Sequence, residues 1–415
     1  MAKDTKSKVW KISNPPEYSI PENWMSFSQL NSLETCPKKW ILENSTYSEI
    51  WEKKGYPQSI SKASITGIVI HKTLETIIRA LTNNNCPSVN SSEAVETINS
   101  IGGYKKTIID CINKILDSYI NNPRAEPFID QHRKSLTSDI SELRRTVQLL
   151  VSRVKLFPRI KTSSKQKSDL QHQLITGTYS EIELKHQELQ WKGIIDLLIL
   201  KPGYCEVRDF KTGKPKEDDK TQLHIYSLLW WRDTRLNPKK TLVDKLVISY
   251  GKHGDVDVPT LKENELLNFE SKLKVRTLKT IEAASIRPPK ANTCHENCRY
   301  CGVRHLCNEY WDNKAEQIQI EKSTKGLSYG DLQVKISDRM GESSWNGIVE
   351  KGPADLIKKK IYLKASNIFF DLNKDSHVRL LGAQLFFPEQ VPSNEQTNLP
   401  TASATKNNEI FFLKK

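Results

Sequence analysis

The segment Ile194-Ile195-Asp196-Leu197-Leu198-Ile199-Leu200 is an almost unbroken apolar run with one acid inside it. Such a run reads as a strand buried on both faces. A carboxylate has little reason to sit there unless something neutralises it. Tyr204 to Phe210 reads as another strand, and thirteen residues after Asp196 it carries Asp209, in Asp209-Phe210-Lys211-Thr212-Gly213-Lys214. Asp209 and Lys211 are two apart at a strand end, so their side chains share a face. The fold must therefore bring two acids and a lysine to the end of one sheet.

The flanking sequence supplies the rest of that sheet. Thr178 to Glu188 alternates polar and apolar residues, and Leu242 to Tyr250 reads as a further buried strand. A helix is expected over Lys220 to Trp231. Another follows Thr66-Gly67, with Ile70, Leu74, Ile77, Ile78 and Leu81 at helical spacing. Helix, three strands, helix, strand is an α/β core with helices covering a sheet. A short helix is also expected near Ser28, a plausible N-cap. From Ser92 to Lys155 apolar residues recur every three or four positions, which reads as a helical insertion placed at residues 83–170. Arg153 to Lys167 carries Arg153, Lys155, Arg159, Lys161, Lys165 and Lys167 without an acid, which suits either a nucleic-acid groove or an exposed loop.

Paired carboxylates hold Mg²⁺ or Mn²⁺, hard cations that take oxygen ligands. Such an ion neutralises phosphoryl oxygens and activates water, and a nearby lysine can orient that water or stabilise developing charge. An Asp-x-Lys pair alone is a weak signal, more often an ordinary strand-end ion pair. Further residues separate the two readings. Gly67-Ile68-Val69-Ile70-His71 places a histidine early in the preceding helix, with Glu75 one turn on. Gln222 and Tyr226 share a face of the following helix, and Glu181 and Glu183 lie on the strand before Asp196.

In order and spacing these segments resemble the RecB-like branch of the PD-(D/E)XK nucleases. That branch has a G-x-x-x-H helix (here Gly67–His71), a G-x-x-D strand (Gly193–Asp196), a D-x-K strand with a following T-G (Asp209–Lys211, Thr212-Gly213) and a Q-x-x-x-Y helix (Gln222–Tyr226). The resemblance covers Ser26 to Cys307. It implies a restriction-endonuclease-like mixed sheet flanked by helices. It also implies metal ligation by His71, Asp196, Asp209 and the carbonyl of Phe210, with Lys211 positioning water and Gln222 and Tyr226 bracing the site. One of Glu181 and Glu183 would act through the metal's water shell. The sequence does not choose firmly between them, and Glu183 is taken as the candidate. The function implied is a Mg²⁺- or Mn²⁺-dependent deoxyribonuclease, an exonuclease on single strands or DNA ends in recombination, repair or CRISPR-type processing. The alternative is a non-catalytic DNA-binding subunit of a helicase–nuclease complex. Gly213-Lys214 precedes proline and lacks a phosphate-binding loop pattern, so a helicase or recombination motor would be a separate partner.

Cys298, Cys301 and Cys307 have C-x2-C-x5-C spacing, with Cys294 just before them. Thiolates at such spacings converge on one metal centre. Bound locally, Cys294, Cys298, Cys301 and Cys307 would hold Zn²⁺. The iron–sulfur branch of the same nucleases, similar to CRISPR adaptation and AddB-type nucleases, instead pairs a triplet with one upstream cysteine. That implies a [4Fe-4S] cluster on Cys36, Cys298, Cys301 and Cys307, clasping the nuclease domain. Cys86, Cys111 and Cys205 stand alone and read as small buried hydrophobes.

The formal net charge of +14 suits a polyanionic partner such as DNA. The absence of a long apolar run or signal-like start leads us to expect a cytoplasmic protein with no membrane partner. Residues 1–24 read as a flexible arm and 25–320 as the nuclease domain with its cluster. Residues 325–390 read as a small β-barrel-like, OB-like domain, and 391–415 as a mostly disordered tail in which Ile410–Leu413 is a last strand or a docking peptide. In the barrel, Trp345, Tyr362, Phe369 and Phe370 either fill the core or stack bases.

Overall fold

The computed structural model describes residues 10–11, 15, 17–21, 24–158, 173–312, 318–365, 372–388, 399–404 and 409–413. The chain divides into two compact units. The first comprises residues 21–31 and 59–281, and the second residues 1–20, 32–58 and 282–415. Helices and strands are numbered in chain order.

In the unit of residues 21–31 and 59–281 a five-stranded sheet runs in the order β2 (Gly177–His186), β3 (Trp191–Lys201), β4 (Tyr204–Lys211), β5 (Lys245–Tyr250), β6 (Gly254–Val258). Only the β4–β5 pair is parallel, which makes the sheet mixed. The connection between those two strands contains α8 (Glu217–Arg232). Helix α3 (Lys62–Asn83) covers one face of the sheet. It is rich in β-branched residues and contains Gly67, which alone costs about 1 kcal/mol relative to alanine. Burial outweighs that cost. Ile65, Val69, Ile70, Leu74, Ile77, Ile78 and Leu81 are all buried against the sheet residues Leu197, Ile199 and Phe210, and each such side chain contributes roughly 1.5–3 kcal/mol. Ser61 starts the helix cleanly, exchanging capping hydrogen bonds with Ser64.

Helices α4 (Ser92–Ser100), α5 (Gly103–Asp117), α6 (Ile129–Ser138) and α7 (Ile140–Ser152) enlarge this core within the expected insertion. Helix α1 (Phe27–Thr35) begins one residue before Ser28, and Ser26 rather than Ser28 accepts the capping bond, from the amide of Gln29 at 3.3 Å. Helix α9 (Glu263–Ser285) follows β6. The basic segment divides. Arg153 is tied to the carbonyl of Tyr250 and to Asp255, a structural use. Arg159, Lys161, Lys165 and Lys167 lie outside the described residues.

The other unit holds Cys36, Cys294, Cys298, Cys301 and Cys307 and a barrel. Helices α2 (Pro37–Asn44), α10 (His295–Cys298) and α11 (Asn308–Asp312) carry or flank the thiols. Strands β8 (Ser328–Gly341), β9 (Ser344–Lys351), β10 (Lys360–Ala365), β11 (His377–Phe386) and β12 (Thr401–Ala404) then close into a five-stranded barrel in the order β8-β9-β10-β12-β11, with β11 returning to β8. Only β10 and β12 run parallel within it. Strand β7 (Glu321–Lys322) pairs with β8, and β13 (Glu409–Phe412) extends β11. Strand β1 (Trp10–Lys11) adds to β13 in parallel.

These pairings correct two expectations. The barrel does not end at residue 390, because Thr401–Ala404 is the strand that closes it. Residues 10–11 are strand rather than free arm. Thr-Ala-Ser-Ala has little apolar signal of its own, and only Ala402 and Ala404 turn into the barrel, where small side chains fit against larger neighbours. Trp345 fills the core at 0% exposure, whereas Phe369 and Phe370 lie outside the described residues. Ending the chain after Pro388 is expected to open the barrel. Hydrogen exchange should then rise across Ser328–Phe386 while α3 and β3 keep their protection, and unchanged exchange in the barrel would contradict the closing role of β12.

Candidate active site

Strands β3 and β4 pair from Lys201↔Tyr204 up to Leu197↔Arg208, and the ladder stops there. At the next step Asp196 Oδ2 accepts the backbone N–H of Phe210 at 2.7 Å, so a carboxylate takes an amide the ladder has released. Leu197 and Phe210 belong to the face covered by α3.

Lys211 Nζ lies 2.8 Å from Asp209 Oδ2 and donates to Gln222 Oε1 at 2.7 Å. Gln222 Nε2 in turn donates to the Tyr226 hydroxyl at 2.6 Å. The i,i+4 spacing on α8 thus serves as a two-step brace for the lysine. Gly193 explains the other end of that brace. A β-carbon there would stand 2.8 Å from Tyr226 Cε1 and 3.0 Å from Leu229 Cδ1, so any larger residue displaces the ring. Gly67 is less crowded, since a β-carbon there would only touch Thr212 Oγ1 at 3.4 Å. His71 reaches the site from α3, with Nδ1 3.6 Å from Asp196 Oδ2.

The two acids of β2 are not equivalent. Glu183 is exposed and pairs with Lys185 at 2.8 Å, away from the acids. Glu181 is the carboxylate that feels Asp196, Glu75 and His71. Its φ of +54° is a left-handed conformation inside a strand, which costs a non-glycine residue on the order of 1–3 kcal/mol. That twist breaks the alternation from which the two acids look interchangeable. Glu183 is therefore replaced by Glu181 as the acid beside the site.

Burial, and then the charge of Asp196, raise the carboxyl of Asp209 well above the usual range, against the pull of Lys211. Burial, followed by Asp196 and Glu75, pushes Glu181 up to about 7. Burial works to lower His71, but its hydrogen bond to Asp196 and the charges of Asp196 and Asp209 outweigh this, and its pKa rises. Lys211 is likewise raised, because Asp209 overcomes its burial. Asp209 Oδ2 is fully enclosed, with the Lys211 ammonium 2.8 Å away. Asp196, Asp209 and Glu181 are carboxylates within electrostatic reach of one another, a chemistry compatible with a hard divalent cation.

The sequence profile of the PD-(D/E)XK nuclease superfamily matches residues 24–308, more than half of the chain. The chain belongs to the PD-(D/E)XK nuclease superfamily. Members of this superfamily are typically nucleases that use Mg²⁺ or Mn²⁺, with DNA as substrate. No curated protein matches the chain. The solved structure of SSO0001 is similar at 13% identity over 67% of this chain and 92% of that one, with a TM-score of 0.21.

The PD-(D/E)XK profile also spans the cysteine segments. One cavity is lined by Cys36, Cys298, Cys301 and Cys307, with Asn292, Val303 and Tyr310 among its other walls. Cys36 caps α2, and its sulfur accepts the amides of Lys39 and Asn292, both at 3.4 Å. Cys294 is not in that wall and caps α10 by accepting the amide of Asn297. Burial pushes the thiols of Cys301 and Cys307 up to about 12 and raises that of Cys298. Among the described residues, no three His, Cys, Asp or Glu side chains already stand as a closed metal site. Cys86, Cys111 and Cys205 are buried singly. No helix among the described residues is long and apolar enough to cross a membrane.

The raised Asp209 sets a pH signature. Below about pH 4 its carboxyl is protonated in folded and unfolded chain alike, so burial carries no charge penalty. As pH rises through the folded value the enclosed group loses its proton and the penalty appears in full. Asp209→Asn should therefore stabilise the metal-free protein at pH 8 and not at pH 4. A gain of about 1 kcal/mol corresponds to about 2–4 °C in a domain of roughly 150–250 residues. Calorimetry in EDTA reads this, and equal destabilisation at both pH values would refute it.

Proposed function

We propose that the chain is a Mg²⁺- or Mn²⁺-dependent deoxyribonuclease that hydrolyses phosphodiester bonds in single strands or at DNA ends, as an exonuclease of the RecB-like branch acting in recombination, repair or CRISPR-type processing. The observation carrying this reading is the buried Asp209–Lys211 pair, 2.8 Å apart, with Asp196 and Glu181 adding like charge beside it. A purely structural ion pair would not need further acids gathered around it.

In this reading His71, Asp196, Asp209 and the carbonyl of Phe210 hold the ion. When bound, the ion neutralises a phosphoryl oxygen and acidifies water. Asp196 is oriented by the Phe210 amide, so the divergence of β3 and β4 sets where phosphate charge is met. Lys211 remains an ammonium at neutral pH and is aimed by Gln222, which Tyr226 keeps from rotating. Its role is to orient the attacking water and to stabilise charge developing on phosphorus-bound oxygen. Glu181 contributes through the ion's water shell.

We further assign a [4Fe-4S] cluster to Cys36, Cys298, Cys301 and Cys307. The four share a cavity wall, and two amides aimed at the Cys36 sulfur stabilise a thiolate. The role is structural. Within the same unit Arg304 grips Asp331 at 2.5 Å, Tyr310 donates to Asp331 at 2.9 Å, and His305 stacks on Phe411 at 3.7 Å. The cysteine segment is thereby fastened to the barrel. The barrel's closed strand order, with its third and fifth strands parallel, leads us to class it with the oligonucleotide-binding barrels.

Two measurements test these assignments. With Mg²⁺ or Mn²⁺ and end-labelled single- and double-stranded DNA, Lys211→Ala should lose about 100-fold or more in rate, the scale of losing one preorganised charge-stabilising group. Equal activity of variant and wild type, or none from metal-replete wild type, would overturn the enzyme reading. Protein purified without oxygen should be brown and contain iron and sulfide, and Cys36→Ser should bleach it while Cys294→Ser should not. Colourless wild type with stoichiometric zinc, lost in Cys294→Ser, would assign the local zinc set instead.

A further inference from the structure

Two isoleucines lie inside the motifs of the acidic site and take no part in its charge chemistry. Ile68 stands between Gly67 and His71 on α3, and Ile194 between Gly193 and Asp196 on β3. Their side chains are exposed, at 43% and 50%. Among the described residues they are the two exposed large apolar side chains that lie within three positions of a residue of the acidic site. Single exposed apolar residues are ordinary on a protein surface. Two that border the same acid call for a reason.

His71 Nδ1 and Asp196 Oδ2, 3.6 Å apart, join the two elements at that acid. Residues three apart on a helix are surface neighbours, which sets Ile68 beside His71. Ile194 lies two residues before Asp196, about 6.4–6.8 Å along the strand. The adjoining glycines show what stands next to each isoleucine. A β-carbon at Gly67 would touch Thr212, the residue after Lys211, and one at Gly193 would run into the Tyr226 ring that braces Lys211 through Gln222. The isoleucines thus border the acids and Lys211 from two separate elements of one compact unit. Local propensity accounts for only one of them. Isoleucine favours strands, so Ile194 suits β3, but a β-branched side chain has no such advantage on an exposed helix surface. The exposed residues at the start of α3, Ser61, Lys62, Ala63 and Ser64, are small or polar.

We propose that Ile68 and Ile194 are the surfaces on which the nucleobases flanking the scissile phosphate lie, an assignment that rests on reading the acidic site as that of a DNA nuclease. A phosphodiester held at the acids and Lys211 carries a nucleoside on each side. The phosphate is met by charge, whereas a base face is apolar and gains by leaving water against an aliphatic side chain. Isoleucine is among the apolar residues that proteins insert between base steps. In a duplex each base face is covered by its neighbours, so only an unstacked nucleotide offers that face. The pair therefore favours strands whose bases can turn out, a single strand or a frayed end. It does so through the faces of the bases and not their edges, so it reads no sequence.

The test reads binding by the full chain in Ca²⁺, a hard cation that takes the same oxygen ligands. Fluorescence anisotropy compares a labelled oligo(dT) strand with a strand of abasic sugar phosphates of the same length. The proteins are wild type, the combined Ile68→Ala, Ile194→Ala variant, the combined Ile68→Val, Ile194→Val variant, and Val95→Ala, an exposed apolar control on α4. Circular dichroism checks the fold, and the valine variant decides if the alanine variant fails to fold. The alanine variant should weaken oligo(dT) binding about 10-fold, the scale of a few methylene groups returned to water. The valine variant should lose less, and Val95→Ala nothing. On the abasic strand all four should bind alike, because no base is there to lose. Wild-type affinity of both isoleucine variants for oligo(dT) would overturn the proposal. So would equal weakening on the two strands, or no preference of the wild type for oligo(dT) over the abasic strand. Cleavage with base-independent binding would sink this assignment alone. Base-dependent binding that needs both isoleucines, without cleavage in Mg²⁺ or Mn²⁺, would sink the nuclease reading alone.

Discussion

The point at which β3 and β4 stop pairing governs the rest of the molecule's chemistry. An antiparallel ladder continued past Leu197 and Arg208 would place Asp196 and Asp209 in neighbouring strands with their backbones satisfied by each other. Because the strands part, the Phe210 amide is released and Asp196 captures it. Two acids can then face one another at the sheet's end, at a cost seen in the raised carboxyls of Asp209 and Glu181. The sheet does not relieve that cost through its own contacts. Lys211 offsets part of it.

Around that break, each neighbour has a geometric job traceable to a residue type. Gly193 makes room for the Tyr226 ring, the Tyr226 hydroxyl fixes Gln222, and Gln222 fixes Lys211. The chain of contacts runs from a missing β-carbon to the ammonium that would act on the substrate. Such an arrangement tolerates change poorly at its small end. A methyl group at position 193 would move the lysine by moving everything between.

The sequence exposed this site more clearly than it exposed the barrel, for a physical reason. Gly67–His71, Gly193–Asp196, Asp209–Lys211 and Gln222–Tyr226 each act within one or two turns of helix or a few residues of strand, so their spacing survives in linear order. Glu181 was obscured because its positive φ is a backbone property that alternation cannot report. Thr401–Ala404 was obscured because a barrel-closing strand of small and polar residues takes its identity from partners far away, at Tyr362–Ala365 and Gln384–Phe386. Trp345 and Tyr362 both read as barrel aromatics, and only the register separates the one that fills the core from the one that faces out.

The Cys36 sulfur accepts an amide from a residue 256 positions later in the chain. A ribosome releases the N-terminal end first, at roughly 5–20 residues per second. Cys36 therefore emerges well before the rest of its cavity exists, while α3 and the strands that carry Asp196 and Asp209 can already meet. The acidic site can thus be assembled before the thiolate cavity is. The cavity around Cys36 is then a late part of the fold, closed on a chain whose acidic sheet end is already in place.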